Sequence, residues 1–201
     1  MKKVVFIGIL MIIFLGCSTT EEITAEIPVV EDSVIEEHVM EPIEKEHVEE
    51  VPEVQQDLND WRNIELKDIS TRETYRISDF AGQKILLESF AVWCPKCTKE
   101  QKEIKILKQE TDGVVYISLD TDPNEDEQRV EDHIKSNNFD WYFSVSPIEM
   151  TKLLIEEFGV GVVSAPSVPV IVICEDQSAT LLPGGNKGKE KLKLALEETC
   201  A

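Results

Sequence analysis

Two thiols three residues apart, Cys94 and Cys97 in the run Trp93-Cys94-Pro95-Lys96-Cys97, carry the strongest chemical signal in the chain. Just upstream, KILLESFA is a continuous apolar, β-tolerant stretch that suits a strand buried on both faces. Downstream, residues 95–109 read as a helix, with Pro95 at an early position that tolerates its missing N–H. Such a strand-to-helix junction puts the Cys94 sulfur at a helix N-terminus, where free N–H groups and the macrodipole favour an anion. Cys94 is therefore expected to be the acidic, nucleophilic thiol of a disulfide exchange, because the thiolate is the attacking species. Cys97, one turn further in, is placed to resolve the mixed disulfide. Lys96 either adds to the stabilisation of the thiolate or is merely solvated. Trp93 either lines a docking surface or packs into the core.

Glu88 stands inside the apolar strand itself. A carboxyl held there is desolvated, which raises its pKa toward the working range and suits it to take the Cys97 proton during resolution. The alternative is a Glu at a strand end that reaches water. The rival use of a CxxC, half of a zinc site, needs two more ligands, and the chain has no second CxxC and no H-x(3 to 5)-H.

The elements that must position these groups follow from the pattern around them. NIELKDI and ETYRI read as two short strands, ISDFAGQ as a brief helical or turn segment, and VVYISLD as a second buried strand. Residues 125–136 form an acidic amphipathic helix, WYFSV a short strand, and residues 148–158 a helix with Leu153, Leu154 and Phe158 on one side. PVIVIC and SATLL read as paired strands around an EDQ turn, and residues 189–199 as a closing helix. The expected class is α/β, with a central mixed sheet flanked by helices.

Charge and composition bound the rest. With a net charge of -20 and no cluster of basic residues, nucleic acid is excluded as the expected partner. Residues 1–17 read as an export signal: Lys2 and Lys3 precede an apolar run that falls short of the ~20 residues of a membrane span. Its end, Phe14-Leu15-Gly16-Cys17, resembles the lipobox of bacterial-type lipoproteins, which implies lipidation of Cys17. An ordinary cleaved signal or an uncleaved anchor are the alternatives, and all three place the domain outside the cytoplasm. Residues 18–57 mix Glu with Val, Ile and Pro without helical or alternating period, and read as an acidic flexible linker. The folded domain is expected over residues 58–201. In an exported protein each of the five cysteines needs a role. Cys174 and Cys200 are either a buried thiol and a free terminal thiol or a disulfide tying the last helix to the sheet.

FAVWCPKCTKE, preceded by KILLES and followed far downstream by SVPVIVI, resembles the thioredoxin superfamily from about Asn63 to Glu198. The resemblance implies a thioredoxin-like fold in which Glu88 is the polar residue under the active site. It also implies that Pro169 is a cis-proline facing the dithiol, so that the backbone at Val168 and Pro169 pairs with an extended substrate; Pro166 competes for that place. The lead-in NIELKDISTRETYRISDFAGQKILLESF is similar to the TlpA/ResA-like exported reductases, which implies an N-terminal strand extension, a helical insertion after Cys97 and an active-site role for Glu100. Two departures stand out. Pro95 precedes Lys96 where that group carries Pro second, which leaves the redox direction open, and Glu88 replaces the Asn or Asp of relatives.

The function implied is reduction of protein disulfides by the Cys94/Cys97 dithiol, with no bound cofactor beyond the redox-active disulfide. The partners implied are protein thiols and disulfides and a membrane electron donor or acceptor, and cytochrome c maturation is among the processes such reductases serve. A thiol oxidase is the close alternative, and a non-catalytic binding lipoprotein on the same fold is another. A peroxidase of peroxiredoxin type wants Thr where the chain has Ala91, and a copper-delivery module wants a wider CxxxC and a His later than His133.

Overall fold

The computed structural model describes residues 59–201. The expected signal, linker and Cys17 lipidation site lie outside the described residues. Five strands form the main sheet in the order β5-β4-β3-β6-β7: β3 (Lys84–Phe90), β4 (Val114–Asp120), β5 (Tyr142–Val145), β6 (Val170–Ile173) and β7 (Ala179–Leu181). β3 is central, parallel to β4 and antiparallel to β6, so the sheet is mixed. The KILLES run is buried because it is hydrogen-bonded on both edges and packed on both faces.

Side chains alternate across β3, and the two faces build two cores. Leu86 and Phe90 join Ile104 and Leu107 of α1 (Pro95–Lys108), Val130 of α2 (Glu127–Asn137) and Leu192 of α4 (Gly188–Thr199). Ile85 and Leu87 point the other way, against Met150 and Leu154 of α3 (Ile148–Phe158) and against Trp61. Each fully buried aliphatic side chain contributes about 2 kcal/mol. Glu88 falls between Leu86 and Phe90 and therefore lies on the α1 face of the sheet.

The N-terminal strands are shorter than their runs suggest. β1 (Leu66–Lys67) and β2 (Thr74–Tyr75) pair as a separate antiparallel ribbon rather than as edge strands of the main sheet. The ribbon is pinned beside β5 by Ile69 N–H to the Phe143 carbonyl at 2.8 Å and by Phe143 N–H to Asp68 Oδ1 at 3.1 Å. α2 begins two residues later than the pattern suggests, because Asp126 caps it through Arg129 N–H and Glu125 turns away. Asn138, at φ 53°, ends it in the left-handed conformation that Asn tolerates.

Cys174, just past β6, and Cys200, at the end of α4, form a disulfide, which decides between the two alternatives open for them. The bond closes a loop of 26 residues and fastens α4 to the sheet. Replacing both cysteines with Ser is expected to lower stability by about 3 kcal/mol, measured by chemical denaturation, while leaving the Cys94/Cys97 redox couple intact. An unchanged midpoint would show that the α4 packing alone holds the helix.

Candidate active site

Four residues after β3 ends, Cys94 becomes the N-cap of α1 in extended conformation, and its sulfur accepts the Cys97 N–H at 3.2 Å. Pro95 occupies the first turn, where no N–H is needed. A cap of this kind directs the free N–H groups and positive end of a 14-residue helix at Cys94 Sγ, which favours its thiolate whenever the disulfide opens. Cys94 and Cys97 are paired as a disulfide with Cα atoms 5.3 Å apart. Both are buried, and the Ala165 carbonyl lies 3.5 Å from Cys94 Sγ and 3.1 Å from Cys97 Sγ. In the dithiol form that carbonyl is an acceptor available to either S–H.

On the α1 face of the strand that leads into the pair, Glu88 is completely buried, so the expected desolvation is present and the alternative of a water-reaching Glu is excluded. Burial holds its carboxyl well above the ordinary range, with Glu100 adding to the effect and Gln101, Ser118 and Lys187 opposing it. Glu88 and Ser118 are register partners across β3 and β4. Ser118 Oγ donates to Glu88 Oε2 at 3.3 Å and receives Trp141 Nε1–H at 3.0 Å.

Glu100 is also fully buried, one turn beyond Cys97. Its carboxylate accepts Lys187 N–H at 3.0 Å, the Asn186 side-chain amide at 3.1 Å and Gly188 N–H at 3.4 Å. Glu100 thus satisfies the free N–H groups at the start of α4 and clamps that helix to α1. Lys187 in turn donates from Nζ to the Val168 carbonyl at 2.7 Å, and burial lowers its pKa against the opposing pull of Glu100 and Glu88.

The segment before β6 departs from expectation. No peptide bond among the described residues is cis, so the Val168–Pro169 bond is trans. A 3-10 turn, Ala165–Ser167, ends with Val168 N–H on the Ala165 carbonyl at 2.8 Å, and Val168 takes φ 50°, ψ 62° to lead the chain into β6. A β-branched residue in that conformation costs about 1–3 kcal/mol, offset here by the bonds to Ala165 and Lys187. Both peptide groups of Val168 are therefore occupied, and the Pro169 carbonyl accepts Ser89 N–H at 3.1 Å. Val168 and Pro169 are buried, whereas Pro166 is exposed and reaches the surface.

That surface is a groove of about 300 Å³ beside the dithiol, walled by Trp93, Pro123, Val163, Ala165 and Pro166. Trp93 is 57 % exposed and is held by donating its Nε1–H to Asp122 at 2.5 Å, so it belongs to the rim and not to the core. That bond is the main reason the Asp122 carboxyl sits below its ordinary value. Glu125 accepts Val92 N–H at 2.6 Å, and so fixes the loop that leads into Cys94. Lys96 is exposed, and its carbonyl accepts the Asn186 amide at 2.8 Å. Among the described residues no group of three His, Cys, Asp or Glu side chains is placed to hold a metal ion.

The family model described as Redoxin matches residues 36–178. The chain belongs to the redoxin family. A search of curated proteins finds no match. Among solved structures, a thiol:disulfide interchange protein from Chlorobium tepidum aligns at 14 % identity and TM-score 0.57, covering 67 % of this chain and 91 % of its own. A secreted Mycobacterium tuberculosis disulfide oxidoreductase, homologous to E. coli DsbE, aligns at 13 % identity and TM-score 0.52, over 69 % and 97 %. StoA from Bacillus subtilis aligns at 23 % identity and TM-score 0.52, over 65 % and 93 %. The fold is thus thioredoxin-like, and this redoxin is a protein disulfide oxidoreductase.

Several residues of the redoxin site carry no isolated sequence signal. Lys187 is hidden in the Lys- and Gly-rich NKGKEK, and Asp122 and Glu125 in the acidic TDPNEDE. Asp120 was readable in principle, as an acid closing the apolar VVYISLD. It is buried, with Oδ1 accepting Asp122 N–H at 3.1 Å and Oδ2 without a partner. Burial, reinforced by Glu125 and Asp122, pushes its pKa from 3.8 up to about 7. The folded chain therefore binds this proton more tightly than the unfolded chain, and the stability it confers is complete below pH 3.8 and is lost as pH rises toward 7. Asp120→Asn is expected to raise stability at pH 8 by about 2 kcal/mol, with the difference shrinking to nothing by about pH 4. Denaturation across that range checks it; a pH-independent difference would remove the titration of Asp120 as the cause.

Proposed function

We propose that the chain reduces disulfides of protein substrates outside the cytoplasm, held at the membrane through Cys17, with Cys94 and Cys97 as its working dithiol. The observation that carries the reading is the Cys94 sulfur capping α1 beside a half-apolar groove, with a buried carboxyl in the strand that leads into it. The Cys94 thiolate attacks a substrate S–S bond, forming a Cys94–substrate disulfide and releasing one substrate thiolate, which takes a proton from water. Cys97 then gives its proton to the Glu88 carboxylate while its sulfur attacks Cys94 Sγ, and the second substrate sulfur leaves as a thiolate. Two electrons pass to the substrate and the pair is left oxidised, to be restored by a dithiol electron donor at the membrane. Trp93, Lys96 and Pro166 would meet the substrate segment.

Support for reduction, and for a place in cytochrome c maturation, comes from the resemblance of the lead-in, and of Glu100 after the second cysteine, to TlpA/ResA-like reductases. The order Pro95-Lys96 favours thiol oxidation as the second reading, and potential separates the two. Titrating the full-length chain against dithiothreitol and glutathione buffers, with thiols trapped for mass spectrometry, is expected to give a value near the about -270 mV of thioredoxin. A value near about -120 mV would make it an oxidant instead. Failure to form a reversible Cys94–Cys97 disulfide at any potential would leave no exchange reaction to assign.

A further inference from the structure

His133 takes no part in the chemistry above, yet the fold brings it to the back of the site. α2 crosses α1 so that His133, 8 % exposed, meets Gln101, which is fully buried one helical turn beyond Cys97. The His133 Nε2 lies 2.7 Å from Gln101 Oε1, and Nδ1 lies 3.5 Å from the Asn137 amide nitrogen. That nitrogen only donates, so Nδ1 accepts and the ring proton sits on Nε2, donated to Gln101 Oε1. With its oxygen spent on His133, the Gln101 amide turns its N–H groups to the other side, where Glu88 lies. Glu88 Oε1 and Gln101 Nε2 are both buried and neither has a hydrogen-bond partner, while Gln101 is close enough to favour the Glu88 carboxylate. One orphan acceptor and one orphan donor thus stand on neighbouring side chains, and leaving either unpaired at this depth is costly.

We propose that His133 is a positioning residue for disulfide exchange: by donating Nε2–H to Gln101, it holds the Gln101 N–H groups toward Glu88 and sets the proton affinity of the base that receives the Cys97 proton. The inference rests on the exchange reaction proposed above. Were the amide reversed, Gln101 would present Oε1 to Glu88, which only a protonated carboxyl can satisfy, and the carboxyl would hold its proton more tightly. Glu88 is faced by Gln101 and Glu100 from α1, by Ser118 from β4 and by Lys187 from the segment before α4. Ser118, Gln101 and Lys187 favour the carboxylate and Glu100 opposes it. His133 itself is faced by Lys102 from α1 and by the rings of Phe90 and Phe139, and burial, with Lys102, lowers its pKa and so favours the neutral ring. Loss of its N–H therefore shifts the balance at Glu88 without abolishing it.

The test uses the reduced full-length chain and two readouts. One is the carboxyl stretching band of Glu88 followed by infrared difference spectroscopy across pH, assigned by its loss in Glu88→Gln. The other is the single-turnover pH profile for release of a substrate thiol from the Cys94 mixed disulfide. His133→Phe keeps a ring between Phe90 and Phe139 but removes the donor, and is expected to move both the Glu88 midpoint and the acid limb of release upward by about one pH unit. His133→Gln, which restores an N–H, is expected to bring most of the shift back. Gln101→Met should reproduce the upward shift even if His133→Phe does not fold. Unchanged midpoints in the folded variants would overturn the proposal, as would equal shifts in His133→Phe and His133→Gln, which would report packing and not donation. The infrared midpoint needs no turnover, so failure of the exchange reaction itself would be seen separately in the unaltered chain.

Discussion

One contact governs the arrangement: the Cys94 sulfur takes the place of a side-chain oxygen at the N-cap of α1 and receives the Cys97 N–H. For that to happen, β3 must deliver the chain to the helix at a fixed point. Its pairing with β4 through Phe90 and Asp120, and with β6 through Glu88 and Val170, does so. The loop between strand and helix is then pinned from outside by Glu125 on Val92 N–H and Asp122 on the Trp93 indole. From within, the Glu100 carboxylate locks α1 to the start of α4. The redox pair is thus held by strand register, by two acidic anchors and by a buried clamp, each on a different side.

The same architecture accumulates buried acid. Glu88 is fully enclosed, Asp120 nearly so, and both prefer to keep a proton in the folded chain. Above the pH at which a free carboxyl ionises, either site would be more stable as an amide, which has no charge to desolvate. At Glu88 the cost corresponds to the base proposed for resolution, held on the α1 face of the sheet. At Asp120 it corresponds to an anchor chain, since its carboxyl receives Asp122 N–H and Asp122 receives Trp93. Stability given up at these two acids is partly recovered by the Cys174–Cys200 disulfide at the end of α4.

Much of this was legible because the chemistry coincides with strong local patterns. KILLES is apolar enough to be a central strand, Pro95 marks the first turn of a helix, and the acid inside the strand announces its own desolvation. What escaped depends on side chains meeting across elements. Nothing local says that Lys187 will reach the Val168 carbonyl or that His133 will meet Gln101. Glu100 sits in a Lys- and Glu-rich helical run with no local sign of burial, yet it is buried because the α4 N-terminus needs an acceptor there. The SVPV run suggested a cis-proline with a free backbone at Val168, and the bonds of Val168 to Ala165 and Lys187 give a trans turn instead, with Pro166 on the groove. A Cys pairing such as Cys174 with Cys200 is likewise set by geometry that spacing does not encode.

The most direct test of the central contact is the titration of the Cys94 thiol. In the reduced full-length chain, the rate of alkylation at Cys94 and Cys97 can be followed separately by mass spectrometry across pH. Control by the α1 N-terminus requires Cys94 to react as a thiolate with a midpoint at least about one unit below the ~8.5 of free cysteine, with Cys97 lagging behind. Equal reactivity of the two thiols, or a Cys94 midpoint at or above ~8.5, would show that burial and not the helix cap decides its state.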